Sequence, residues 1–279
     1  MVKRVNTRNG PTAQESFDCA TLSIICFDLE TSPTGGGLRF GATELVGIIR
    51  AMVITIDGPA GSGKSTAARK VAARLEVPYL DTGAMYRAIT HVALLRGIPL
   101  EDEQAVVELA RQTRLEVDCG PTHARVRADG HDISEAVRSL KVTQATGAVA
   151  RIQPVRDLMV AEQRRLGRRL GSFVTEGRDQ GSIVFPDADM KFVLEAELEQ
   201  RALRRLRDLQ VDGEEVEFRE VIYDLKTRDA NDSVQWSSLL RPDAAIVIDT
   251  TDLSIAQVVD CLLGHIRAVI PWPNASAQS

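Results

Sequence analysis

The sequence predicts an α/β fold, a parallel sheet covered by helices on both faces with one small antiparallel insert. Two observations carry this. From residue 52 onward, short apolar β-branched runs take turns with helical patterns, and only around residues 115–129 does strict apolar/polar alternation replace them, next to an Asp-Gly turn signal. A third observation places the ligand: residues 53–66 read as strand, glycine-rich turn and helix, so a binding site is expected at the carboxyl edge of the sheet.

In order, Val53–Asp57 is an apolar strand and Lys64–Glu76 an amphipathic helix. Pro78–Asp81 is short and extended; Ala84–Arg96 is helical and stops at Gly97; Glu103–Gln112 is a further helix. Leu115–Asp118 and Ala124–Asp129 alternate, and Asp129-Gly130 marks a hairpin turn. Helices resume at Ser134, with Pro154 in the first turn of one that runs to about Leu170, where its missing N–H costs nothing. Phe173–Glu176 and Lys191–Leu194 read as buried strands, and Leu198–Leu209 and Phe218–Lys226 as helices. A last strand, Ala244–Asp249, precedes a helix from Ser254 to Val269.

Residues 1–51 have another texture, rich in Ser, Thr and Gly, with no helical face that lasts ten residues. They are expected to be a leader of unknown role, poorly ordered or produced by a start assigned too early. Residues 271–279 form a short tail.

Composition narrows the function. At 279 residues and 44% apolar, the chain can bury a core, which excludes a collagen-like or wholly disordered protein. A formal charge of −5 argues against a protein that coats nucleic acid with a basic face. Six lysines stand against twenty-eight arginines; arginine is the better fork for phosphate, although genome base composition explains such a bias equally well. Cys19, Cys26, Cys119 and Cys261 show no metal-ligand spacing. The sequence has no signal-peptide layout and no apolar run of membrane-spanning length, so a cytoplasmic protein without membrane or nucleic-acid partners is expected.

The most specific signal is Gly58-Pro59-Ala60-Gly61-Ser62-Gly63-Lys64-Ser65-Thr66, a match to G-x-x-x-x-G-K-S/T between a strand and a helix. Glycines let backbone N–H groups converge on phosphate oxygens, and the helix N-terminus adds partial positive charge. Lys64 is placed to reach the β and γ phosphates of ATP, and Ser65 offers its hydroxyl to Mg2+. No Asn-Lys-x-Asp guanine reader and no Leu-Ser-Gly-Gly signature occurs, which leaves kinases of small molecules. Such an enzyme needs an acceptor pocket. Asp81-Thr82-Gly83-Ala84-Met85-Tyr86-Arg87 and Glu176-Gly177-Arg178-Asp179 both follow strands, and Arg228-Asp229 with Asp232 end a helix in a polar stretch.

With these motifs in hand, residues 52–270 are identified as resembling bacterial cytidylate kinases, a family of P-loop nucleoside monophosphate kinases. The resemblance rests on the phosphate loop, on Leu80 through Arg87, and on Asp132-Ile133-Ser134-Glu135-Ala136-Val137-Arg138. It rests also on Glu176 through Asp179 with Val184-Phe185-Pro186-Asp187-Ala188, and on Arg228-Asp229 followed by Asp232-Ser233. It implies a three-layer P-loop fold with a nucleoside-monophosphate-binding insert at about 114–155 and a helical lid at about 212–242. It implies γ-phosphoryl transfer from ATP to CMP or dCMP in pyrimidine nucleotide metabolism, by a monomer. Lys64, Arg178 and Arg228 would be catalytic; Thr82, Arg87, Arg156, Arg178, Asp179 and Asp232 would bind the acceptor. Either Asp57 or Glu176 could assist Mg2+ beside Ser65.

Two departures from the family pattern stand out. Gly147 occupies a position near the base pocket where serine is usual, leaving Thr146 as the nearest hydroxyl, and Gln235 replaces a lid arginine. They keep two other readings open, a kinase for another nucleoside monophosphate such as UMP and a nucleotide-binding regulator with weakened catalysis.

Overall fold

Ile54, Thr55, Ile56 and Asp57 have no exposed surface. The strand they belong to, Val53–Asp57 (β2), is therefore covered on both faces, as a central parallel strand must be. The structure, a computed structural model, describes residues 3–5, 51–211, 213–236 and 245–269, with side chains at 51–211, 213–230 and 245–269.

Four parallel strands surround β2. Tyr79–Asp81 (β3), Phe173–Gly177 (β7), Met190–Glu195 (β8) and Ile246–Asp249 (β9) give the order β9-β8-β2-β7-β3. One face is closed by Lys64–Leu75 (α1) and Ile255–Val269 (α8), whose Val71, Leu75, Leu262 and Ile266 pack with Ile54 and Ile56. The other face is closed by Thr82–Leu95 (α2), Glu103–Gln112 (α3) and Gln153–Leu170 (α5), through Met85, Ile89, Val106 and Met159. Each buried Leu or Ile contributes about 1.5–3 kcal/mol, so these two layers hold the sheet edge rigid where the loops emerge. Three leader residues in which the pattern predicts no element, Lys3–Val5 (β1), pair in parallel with β9 at the edge of the same sheet. The rest of the leader and the tail lie outside the described residues.

The antiparallel insert contains Leu115–Cys119 (β4), Ala124–Ala128 (β5) and His131–Asp132 (β6). Asp129 and Gly130 both have positive φ, 51° and 84°, the pair of left-handed conformations that a two-residue type I′ turn requires. After a short 3₁₀ turn at Ala136–Arg138, Leu140–Ala150 (α4) leads into α5.

One turn is not foreseen in the sequence, and one local expectation is corrected. Residues after Asp179 form a wide single turn, Gln180–Val184, that no periodicity announces. The amides of Gln180 and Gly181 donate to the Asp57 carboxylate at 3.0 and 2.8 Å, so a side chain from a neighbouring strand dictates this turn. The correction concerns the helices after β8, Leu198–Val211 (α6) and Phe218–Trp236 (α7). The sequence places the end of α7 near Lys226, with Arg228, Asp229 and Asp232 in a polar stretch beyond it; the helix instead continues to Trp236. Arg228 Nε meets Asp224 Oδ2 at 3.2 Å one turn earlier on the same helix, and Asp229 is held by Arg201 of α6, so one local i,i+4 pair and one tertiary pair support the helix past Lys226.

Candidate active site

Register fixes the site's framework. Asp57 at the end of β2 is level with Gly177 of β7, and Glu176 of β7 is level with Asp81 of β3. The phosphate loop, Arg178-Asp179 and Thr82 thus leave the sheet side by side.

The phosphate loop is built by close approach. A Cβ on Gly58 would lie 2.3 Å from the Leu194 carbonyl oxygen, so β8 leaves room for glycine alone. Gly63 caps α1 at φ 86° and no side chain caps that helix, whereas Asp81 caps α2 by accepting from Ala84 N at 2.9 Å. The first-turn N–H groups of α1 are thereby kept for an anion. Lys64 Nζ donates to Pro59 O at 3.2 Å and stands 4.0 Å from Glu176 Oε2. Ser65 Oγ donates to Glu176 Oε1 at 2.9 Å. Burial pushes the Glu176 carboxyl up, and Lys64 opposes that shift. Asp57, the other carboxylate open from sequence, is committed to the amides of Gln180 and Gly181; burial raises its pKa to about 7.

Arg178 links the phosphate loop to a second group of charged side chains. Its Nη1 donates to Gly58 O at 2.8 Å, while the adjacent Asp179 accepts from Arg156 Nη2 at 2.8 Å in a pair less than a tenth exposed. Burial raises the Asp179 pKa against the pull of Arg156. Gln180 Nε2 lies 3.4 Å from Asp179 Oδ1 and donates to Gln163 Oε1 at 3.2 Å, which fixes the orientation of the carboxylate. Thr82 Oγ1 donates to Glu176 O at 2.7 Å. Arg87 Nη2 pairs with Asp81 Oδ2 at 2.9 Å; burial works against the Asp81 charge, yet Arg87 and the Ala84 amide hold its carboxyl below the ordinary value. Arg228 reaches Thr143 O of α4 at 3.3 Å. Burial lowers its pKa, and the charges of Arg205 and Arg178 act in the same direction against Asp224. Cations therefore converge between the phosphate loop and α7.

Of the residues singled out from sequence, Lys64, Ser65, Thr82, Arg87, Arg156, Arg178 and Asp179 are brought to one sheet edge, and Arg228 faces it from α7. The side chains of Asp232 and Gln235 lie outside the described residues. A Cβ on Gly147 would meet nothing within 4 Å, and the Thr146 hydroxyl donates its proton to Val142 O at 2.7 Å, which leaves its oxygen as an acceptor only. Sequence reasoning passed over Arg201, which joins Ala60 O to Asp229, and Gln180. On α6 an arginine among arginines carries no local sign of burial.

The sequence profile of the cytidylate kinase family matches residues 54–268, from the phosphate-loop strand through α8. The chain belongs to the cytidylate kinase family. It is 46% identical over 215 residues to a protein named cytidylate kinase from Caldanaerobacter subterraneus, covering 77% of this chain and 94% of that one. It is 44% identical over 211 residues to the cytidylate kinase of Bacillus pumilus, covering 75% and 93%. A bifunctional pantoate ligase/cytidylate kinase of Synechococcus is 47% identical over 231 residues, which are 81% of this chain and 43% of that protein. The chain thus spans less than half the length of the bifunctional relatives that it matches. Among the described residues, no helix is long and apolar enough to cross a membrane.

Proposed function

We propose that the chain transfers the γ-phosphoryl group of ATP to CMP or dCMP, giving ADP and the diphosphate. One observation carries the reading: Arg178 donates to the carbonyl that opens the phosphate loop, while its neighbour Asp179 is paired with Arg156 on the acceptor side. Donor and acceptor groups are therefore one residue apart.

The acceptor is already an anionic phosphate oxygen, so little general-base help is needed. Catalysis comes from alignment and from neutralising charge spread over both phosphates. Lys64 and Arg178 face that charge from the donor side, Arg228 from α7, and Arg87 holds the acceptor phosphate. Arg156 and Asp179 offer donors and an acceptor, which suits cytosine with its amino group and two acceptors. Asp232 is assigned the ribose. The Ser65 hydroxyl and Glu176 carboxylate, 2.9 Å apart, form an oxygen pair that fits Mg2+. Bound there with ATP, Mg2+ would neutralise the β and γ phosphates. The protein is taken as a cytoplasmic monomer with small nucleotides as its partners.

The open space at Gly147 favours one second reading, a kinase with loose base selection that accepts UMP. ADP release measured with CMP, dCMP, UMP and AMP tests both. CMP and dCMP should lead; equal or faster turnover of UMP supports the second reading, and ATP binding without transfer to any acceptor refutes both. Equal activity of a chain beginning at Met52 would retire the leader as a functional element.

A further inference from the structure

Arg201 stands in the first turn of α6 and is only 5% exposed. A buried guanidinium must find acceptors for its N–H donors, and here they come from three parts of the molecule. Nε donates to Ala196 O at 3.0 Å, between β8 and α6. Nη1 donates to Ala60 O at 3.1 Å, within the phosphate loop, and to Asp229 Oδ1 at 3.1 Å. Nη2 completes a bidentate pair with Asp229 Oδ2 at 2.6 Å. Gly61 lies against the same residue: a Cβ there would come within 3.0 Å of both Arg201 Cβ and Arg201 O, and its φ of 76° favours glycine as well. The loop and α6 are thus packed backbone to backbone at this point.

Asp229 adjoins Arg228 on α7. Neighbouring residues of a helix point about 100° apart, so a contact that fixes one fixes the direction of the other. Asp229 faces α6; Arg228 faces Thr143 of α4 and feels the charges of Arg178 and Arg205. Rotation of α7 about its axis would move Arg228 and break the bidentate pair together. The pair therefore sets where Arg228 sits relative to the loop that cradles the donor phosphates.

We infer that Arg201 and Asp229 are a positioning pair that aligns Arg228 with the phosphate loop, an inference resting on the kinase reading above. They act through Arg228 and the loop backbone. An ion pair that only stabilised the fold would leave turnover per folded molecule unchanged.

The test uses the full chain with Asp229→Asn, Arg201→Lys and both together; lysine keeps the charge and loses the fork. With ATP and CMP, kcat should fall about ten- to hundredfold, the cost of a reacting group misplaced by about an ångström. KM for either nucleotide should change less than about threefold, because ground-state contacts are retained. The double variant should lose no more than the worse single one. An unchanged kcat, or losses that multiply, would overturn the inference. A second measurement needs no acceptor: backbone amide exchange in α7, with and without the β,γ-imido analogue of ATP. The analogue should slow exchange in the unmodified chain and leave Asp229→Asn unaffected; an equal response in both would overturn the coupling. If no nucleoside monophosphate is phosphorylated, the kinase reading fails, and the exchange result still decides the pair.

Discussion

Asp57→Asn is the perturbation whose magnitude the structure specifies best. Asp57 has no exposed surface, and burial raises its pKa from 3.8 to about 7 although two amides and Arg178 stabilise the anion. The sign follows from proton linkage. Between those two values the folded chain binds a proton that the unfolded chain has released, so stability falls as pH rises through the window. The contribution is complete below about pH 4 and lost above about pH 7. Between pH 5 and pH 8 the native protein should lose roughly 2–3 kcal/mol through this one group, at about 1.4 kcal/mol per pH unit of displaced titration. Asparagine is isosteric and does not titrate. It can accept from only one of the two amides of the 180–184 turn, at a pH-independent cost of about 1–3 kcal/mol. Urea unfolding of both proteins at pH 5 and pH 8 isolates the term as the change in their stability difference. If that difference is the same at the two pH values, Asp57 does not titrate in this window and the account of its burial is wrong.

Other predictions concern the site. Glu176→Gln removes the carboxylate beside Ser65 and Lys64, and the Mg2+ concentration for half-maximal activity should rise about tenfold or more in a metal titration of the rate. Gly147→Ser adds a hydroxyl where a Cβ meets nothing within 4 Å; the CMP-to-UMP ratio of kcat/KM should rise by roughly threefold to tenfold, the worth of one neutral hydrogen bond. Gln235→Arg places an arginine where the family pattern has one and should raise kcat for CMP by at least about tenfold in steady-state assays. An unchanged or lower rate would refute the role given to that position.

Much of this architecture was legible because its determinants are local. The phosphate loop announces itself in nine consecutive residues, with the strand and helix beside them. Asp129-Gly130 specifies its turn by the φ values that only a few residue types adopt. What escaped depends on partners distant in sequence. The turn at Gln180–Val184 is shaped by Asp57, more than 120 residues earlier. The later part of α7 contains Asp, Asn and Ser, which compete with helix when alone; Arg201, 28 residues before Asp229, holds that turn from α6. Choosing between Asp57 and Glu176 beside Ser65 also needed geometry, since both end buried strands and only hydrogen-bond partners separate them. Thr146, the nearest hydroxyl by sequence, has no proton left to donate because it bonds back to its own helix.

Phosphoryl transfer from the P-loop donor site to cytidine monophosphate can be followed atom by atom. Its most direct measurement follows ATP labelled in the γ-phosphoryl group, incubated with CMP and Mg2+, with the labelled product identified. Label should appear in CDP with an equal amount of ADP, and Lys64→Ala should abolish it. Label released only as inorganic phosphate, or carried to UMP or AMP in preference to CMP, would contradict the account.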